Sequence, residues 1–211
     1  MGSGHRLACT RISHRTRLVP DSHSIRTVVR CKSMASSVQK PRIFTIGHST
    51  RPIAEFIAIL DANKLKQVVD VRTIPKSRHN PQYGGKRLAK SLGRHGIRYI
   101  HILGLGGLRH TRKDSPNKAW RNSSFRGYAD YMQTDEFDKY LRQLIALSKR
   151  RRLTIMCAEA VPWRCHRSLI ADALLAHGLN VSDLFGMGLP RPHKMTSFAK
   201  VKGTHVSYPN V

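Results

Sequence analysis

Apolar positions along the chain follow two rhythms. Short runs rich in β-forming residues, "RIFTIGH" (42–48), "KQVVDVR" (66–72), "IRYIHI" (97–102), "LTIMCA" (153–158) and "LNVSDLF" (179–185), read as strands. Between them the spacing becomes that of a helix. Ile53, Phe56, Ile57 and Leu60 recur at i, i+3, i+4 and i+7 behind Pro52, a residue suited to a first helical turn. "KRLAKSLGRHG" (86–96) reads as a helix with a glycine stop. A helix from Thr134 opens with Asp135, Glu136 and Asp138, where the dipole favours acids, and buries Phe137, Tyr140, Leu141, Leu144 and Ile145. "HRSLIADALLAHG" (166–178) sets Leu169, Ile170, Ala173 and Leu174 on one helical face.

Strand and helix in alternation predict a single three-layer α/β domain over residues 41–211, with a mostly parallel sheet flanked by helices. A C-terminal β-hairpin is expected about Lys202–Gly203 in "FAKVKGTHVSYP". Two stretches interrupt the rhythm. "TIPKSRHNPQYGG" (73–85) is too long for a simple connection and reads as a functional loop, and residues 103–127, rich in Gly and Arg, read as a long loop. Ligands of such sheets sit outside the carboxyl ends of the strands. That rule gathers His48, Asp70, Arg72 and the loop after Cys157 along one edge.

Residues 1–40 show neither rhythm. They hold 8 basic residues and 1 acid, lack an apolar block, and are expected to be a disordered basic extension. The same composition suits an organelle transit peptide or a chain whose start lies at Met34. The charge does not end there, because 30 Lys and Arg against 11 Asp and Glu remain in residues 41–211. A polyanionic partner is the natural reading, nucleic acid or a phosphorylated small molecule. No apolar run approaches the roughly 18 residues of a membrane span. Four cysteines, two of them in the extension, make no dense disulfide framework, which predicts reduced thiols in an intracellular, cytoplasmic protein.

Chemistry concentrates in "CAEAVPWRCHR" (157–167), directly after a predicted strand. Strand, Cys, loop and helix is how phosphatase- and sulfurtransferase-like sites hold a thiolate, and Cys157 sits in about that place. Its spacing to Arg164 is one residue longer than a Cys-x5-Arg phosphate loop allows, and Glu159 and Pro162 stand where small residues belong. Zinc held by Cys157, Cys165 and His166 is disfavoured, because adjacent Cys and His diverge and no Cys-x-x-Cys knuckle exists; no cofactor is expected. A third reading makes Glu159 the working carboxylate, with arginines gripping phosphate. Asp70 and Arg72, two apart on a strand, share a face and can simply pair.

"TIGHS" (45–49), "DVRTIPKSR" (70–78), "LGGLR" (105–109), "CAEAVPWRCHR" and "HKMTSFAKVKGTHVSYP" (193–209) together resemble a widespread, mostly prokaryotic family catalogued as domain of unknown function 488. The resemblance implies a compact α/β domain whose members have loosely been labelled DNA-repair-like. It marks Gly47, His48 and Ser49; Asp70, Arg72, Pro75, Ser77 and Arg78; Gly107 and Arg109; and Cys157, Glu159, Pro162, Cys165, His166 and Arg167. Ser197 stands where the family pattern has proline.

The resulting expectation is an enzyme-like basic protein, a hydrolase or nucleic-acid-processing enzyme, acting on a phosphate-bearing substrate. Glu159, His48, Cys157 and Asp70 are the catalytic candidates. Arg72, Arg78, Arg109, Arg164, Arg167, Ser49 and Ser77 are the candidates for phosphate binding. The alternatives are a nucleic-acid-binding module without chemistry and a cysteine-dependent enzyme using Cys157.

Overall fold

Each expected strand forms, and the order in which the strands pair decides where the cleft lies. The computed structural model describes residues 42–210; the expected N-terminal extension lies outside them. The strands are β1 (Arg42–Gly47), β2 (Gln67–Asp70), β3 (Arg98–His101), β4 (Leu153–Cys157), β5 (Asn180–Leu184) and β6 (Arg191–Pro192). They form one sheet in the order β3-β2-β4-β1-β5-β6. All neighbours run parallel except β6, which pairs antiparallel with β5.

Successive strand residues point to opposite faces, and both faces are covered. Phe44, Ile46, Val68 and Met156 pack with α1 (Ile53–Ala62) and α2 (Gly85–Arg94) through Phe56, Leu60, Leu88 and Leu92. Ile43, Val69, Ile155 and Cys157 face the other layer, built from α3 (Ser123–Tyr131), α4 (Asp135–Arg150) and α5 (Arg167–Ala176). Full burial of a side chain such as Phe56 or Leu144 contributes about 1.5–3 kcal/mol.

The chain leaves β1 and β2 toward the α1–α2 face but leaves β4 toward α5 on the opposite face. β4 lies between β1 and β2. Adjacent strands whose connections part in this way open a crevice at their carboxyl ends. Register aligns the three ends, with Gly47 opposite Cys157 and Asp70 opposite Met156.

Two elements depart from expectation. Helix α3 lies within the stretch read as a loop, and β6 precedes the hairpin of β7 (Lys200–Lys202) and β8 (His205–Ser207). Behind the sheet a buried polar network ties this C-terminal segment down. Thr45 Oγ1 donates to Asp183 at 2.6 Å, His193 bridges Asp183 at 2.8 Å and Asp172 at 3.2 Å, and Tyr208 OH donates to Asp172 at 2.9 Å.

Candidate functional site

A cleft of about 740 Å³ opens at the crevice. Cys157, Cys165 and His166 lie at its floor, buried or half-buried, and Glu159, Arg164 and Lys76 stand exposed around it. The loop after β4 is held to β1 by the amides of His48 and Ser49, which donate to the carbonyls of Cys157 (3.0 Å) and Ala158 (2.8 Å). Contact there is so close that a Cβ on Gly47 would stand 1.7 Å from the Glu159 carbonyl oxygen, so only glycine fits. Ser49 takes a left-handed conformation at φ 47° to turn the chain at the cleft edge.

Arg167 is 1% exposed and lies outside the lining of the cleft. Its guanidinium donates to the Glu159 and Ala160 carbonyls, bracing the loop from behind rather than gripping substrate. Arg109 likewise binds the carbonyls of Gly106 and Gly104 and lies 3.5 Å over the Tyr131 ring. Asp70, wholly buried, is chelated by Arg72 through bonds of 2.6 to 3.2 Å and also accepts from Tyr99 OH at 2.7 Å. Arg72 reaches the cleft wall, yet its remaining donors go to the Tyr83 carbonyl and His48 Nε2. Burial alone would lower the Arg72 pKa, and the Asp70 carboxylate raises it above the ordinary value. Charge at this buried pair is therefore internally balanced.

His48 stacks on Tyr83 with ring centroids 4.1 Å apart. Arg72 donates to its Nε2, which fixes the proton on Nδ1, where it bonds the Ser49 carbonyl at 2.8 Å. Burial and then the Arg72 charge lower its pKa, so it stays neutral with both nitrogens engaged. Ser77 Oγ lines the cleft while accepting from the Asn80 amide, and Ser49 lines it too; Arg78 is exposed and lies outside the lining.

The floor is the unexpected part. Cys165 leaves a single 3₁₀ turn in extended conformation (φ −139°, ψ 140°) and His166 starts α5 at φ −55°. That change of backbone brings two consecutive side chains to the same side, toward Cys157. The three ligand-type atoms lie within 4.8 Å of one another. His166 Nε2 donates to the Val71 carbonyl at 3.0 Å, which leaves the Nδ1 lone pair facing Cys165 Sγ at 3.7 Å. Hydrogen bonding from the Cys165 thiol, with lesser help from His166 and the Glu159 amide, lowers the Cys157 pKa far below the usual thiol range against the opposing effect of burial. Cys165 shifts the other way, because Cys157 and burial both favour its proton.

Sequence reasoning missed Lys76, Thr50, Thr73, Ser124 and Phe125, all of which line the cleft. Lys76 and Thr73 lie in the loop that its length marked as functional. Ser124 and Phe125 belong to α3, whose signal was present: Asn122 as N-cap, then Phe125, Tyr128, Ala129 and Met132 at helical spacing.

Residues 52–174, more than half of the chain, match the profile of a family described as domain of unknown function DUF488. The chain belongs to this family. The DUF488 match takes in the β2 loop, the glycine segment and all of "CAEAVPWRCHR", whereas "TIGHS" and the C-terminal motif lie outside it. No curated protein and no solved structure matches the chain. No helix among the described residues is long and apolar enough to cross a membrane.

Proposed function

We propose that this DUF488 protein is an enzyme acting on a phosphate-bearing substrate, a nucleotide or nucleic acid, bound in the cleft. One observation carries this reading. Lys76 and Arg164 line the cleft without a partner among the described residues, beside Glu159, the one carboxylate in its lining and likewise unpartnered. Five hydroxyl side chains, Ser49, Thr50, Thr73, Ser77 and Ser124, add donors for phosphate oxygens. The positive ends of α3 and α5 meet the cleft at Ser124 and His166, which favours an anion. In this reading Arg164 and Lys76 hold the phosphate and Glu159 transfers the proton. Ile74, Leu108 and Phe125 offer an apolar wall to the rest of the substrate.

The test is a panel of p-nitrophenyl phosphate, mononucleotides and single-stranded oligonucleotides, assayed for binding and turnover. Glu159→Gln should retain binding and lose turnover by at least about a hundredfold, the usual weight of a general acid or base. Lys76→Glu with Arg164→Glu should weaken binding at least about tenfold and flatten its salt dependence. Full turnover in Glu159→Gln overturns the assignment. Binding without turnover in the unaltered protein would instead describe a nucleic-acid-binding module.

A second reading has its own support. The lowered pKa of Cys157, at the end of a parallel strand and before a helix, is what a cysteine-dependent enzyme needs. Rapid alkylation of Cys157 by iodoacetamide at neutral pH, with loss of turnover, would favour it over proton transfer by Glu159.

A further inference from the structure

We infer that Cys157, Cys165 and His166 form a binding site for one zinc-class cation, whose fourth coordination position opens into the cleft. Sequence spacing argued against this, on the ground that adjacent Cys and His residues diverge. The extended-to-helical step between Cys165 and His166 removes that objection.

The imidazole is oriented for a metal. Its Nε2 is anchored on the Val71 carbonyl, the arrangement that fixes the tautomer of metal-binding histidines. Gly107 packs on the ring: a Cβ there would lie 2.5 Å from Nδ1, 2.8 Å from Cγ and 2.9 Å from Cε1. Those near-equal distances put it above the ring face, not along the Nδ1 lone pair, so the in-plane direction toward the thiols stays clear. Tyr128 stands 5.0 Å from the ring centroid.

Distances agree with a common ion. Bonds of about 2.3 Å to sulfur and about 2.0–2.1 Å to nitrogen at tetrahedral angles set sulfur and nitrogen about 3.5 Å apart. Cys165 Sγ and His166 Nδ1 are 3.7 Å apart, and Cys157 Sγ lies within 4.8 Å of both. Both thiols are free of disulfide. A divalent ion engages all three lone pairs at once, and with two thiolates it forms a neutral unit, which suits a thiol that is 3% exposed. Soft sulfur with imidazole selects zinc over magnesium or calcium. Three protein ligands with an open position mark a catalytic rather than a purely structural zinc.

The inference stands on these ligands and holds whether or not the cleft takes phosphate. Full-length protein purified under reducing conditions without chelator should retain one zinc per chain, measured by plasma mass spectrometry. Cobalt(II) in place of zinc should give near-ultraviolet thiolate-to-metal charge transfer and the intense visible bands of a tetrahedral site. Cys157→Ala, Cys165→Ala and His166→Gln should each weaken zinc binding at least about a hundredfold. Cys9→Ala with Cys31→Ala, and Lys76→Glu with Arg164→Glu, should leave the metal content unchanged. Folded wild-type protein that neither retains zinc nor develops the cobalt bands would overturn the proposal without recourse to any variant. So would a Cys157–Cys165 disulfide in the freshly purified protein, or zinc that disappears only with Cys9 and Cys31.

Discussion

His193 and His166 occupy buried networks with opposite accounting of donors and acceptors. His193 places both ring nitrogens against carboxylates, Asp183 and Asp172, and those carboxylates also accept from Thr45, Tyr208 and the Thr196 amide. Its charge is needed, its partners are supplied, and it lies outside the lining of the cleft. His166 anchors one nitrogen on a carbonyl and turns the other toward two thiols at the floor of an open cleft. The first network is closed and holds the fold together. The second gathers three ligand-type atoms within 4.8 Å of one another, and it lies in the lining of the cleft. Completeness of bonding, more than the presence of histidine, separates a structural site from a chemical one.

The contrast can be broken from either side. Asp172→Ala should have the largest effect on stability, about 3–5 kcal/mol in urea unfolding, because it removes one counter-charge and strands Tyr208 OH and the Thr196 amide. Next comes pH. Burial lowers the His193 pKa, but the two aspartates outweigh it and push it up to about 9 from 6.5. A raised folded-state pKa means that this stabilisation is complete below about 6.5 and is lost as pH rises through about 9, with a total of about 3 kcal/mol. His193→Gln should abolish that part of the pH dependence, followed by thermal unfolding between pH 6 and 10. Smallest in stability is Gly107→Ala, which should cost about 1–3 kcal/mol through crowding against the His166 ring. Yet it should cut metal binding at least about tenfold, an effect on the cleft that Asp172→Ala should not reproduce in the protein that remains folded.

The strand frame was legible because buried parallel strands are short apolar runs, and all five expected runs became strands. Helix α3 was masked by its surroundings: its apolar positions are regularly spaced, but the segment before it is rich in loop-forming residues. β6 is two residues long and contains Pro192, too little to register as a strand. For the site, position was readable and role was not. Asp70 and Arg72 pair as two residues on one strand face can. Nothing in the sequence states that Arg109 and Arg167 turn to backbone carbonyls, because those carbonyls, three to eight residues away, are presented by the path of irregular loops that residue spacing does not encode. Convergence of Cys165 with His166 depends on one change of backbone dihedral, which residue spacing does not encode.

The placement of β4 between β1 and β2 also governs how the domain comes into being. Its two edges pair with residues laid down far earlier, Asp70 beside Met156 and Gly47 beside Cys157. Until those long loops close, the growing chain holds β1 and β2 as separate strands with unpaired edges and no floor beneath the cleft. The chemistry-bearing loop therefore arrives as a keystone. Its correct seating reports that β1 has joined β2 and β3 in one sheet, and a chain arrested before it would present the open edges of β1 and β2 for aggregation.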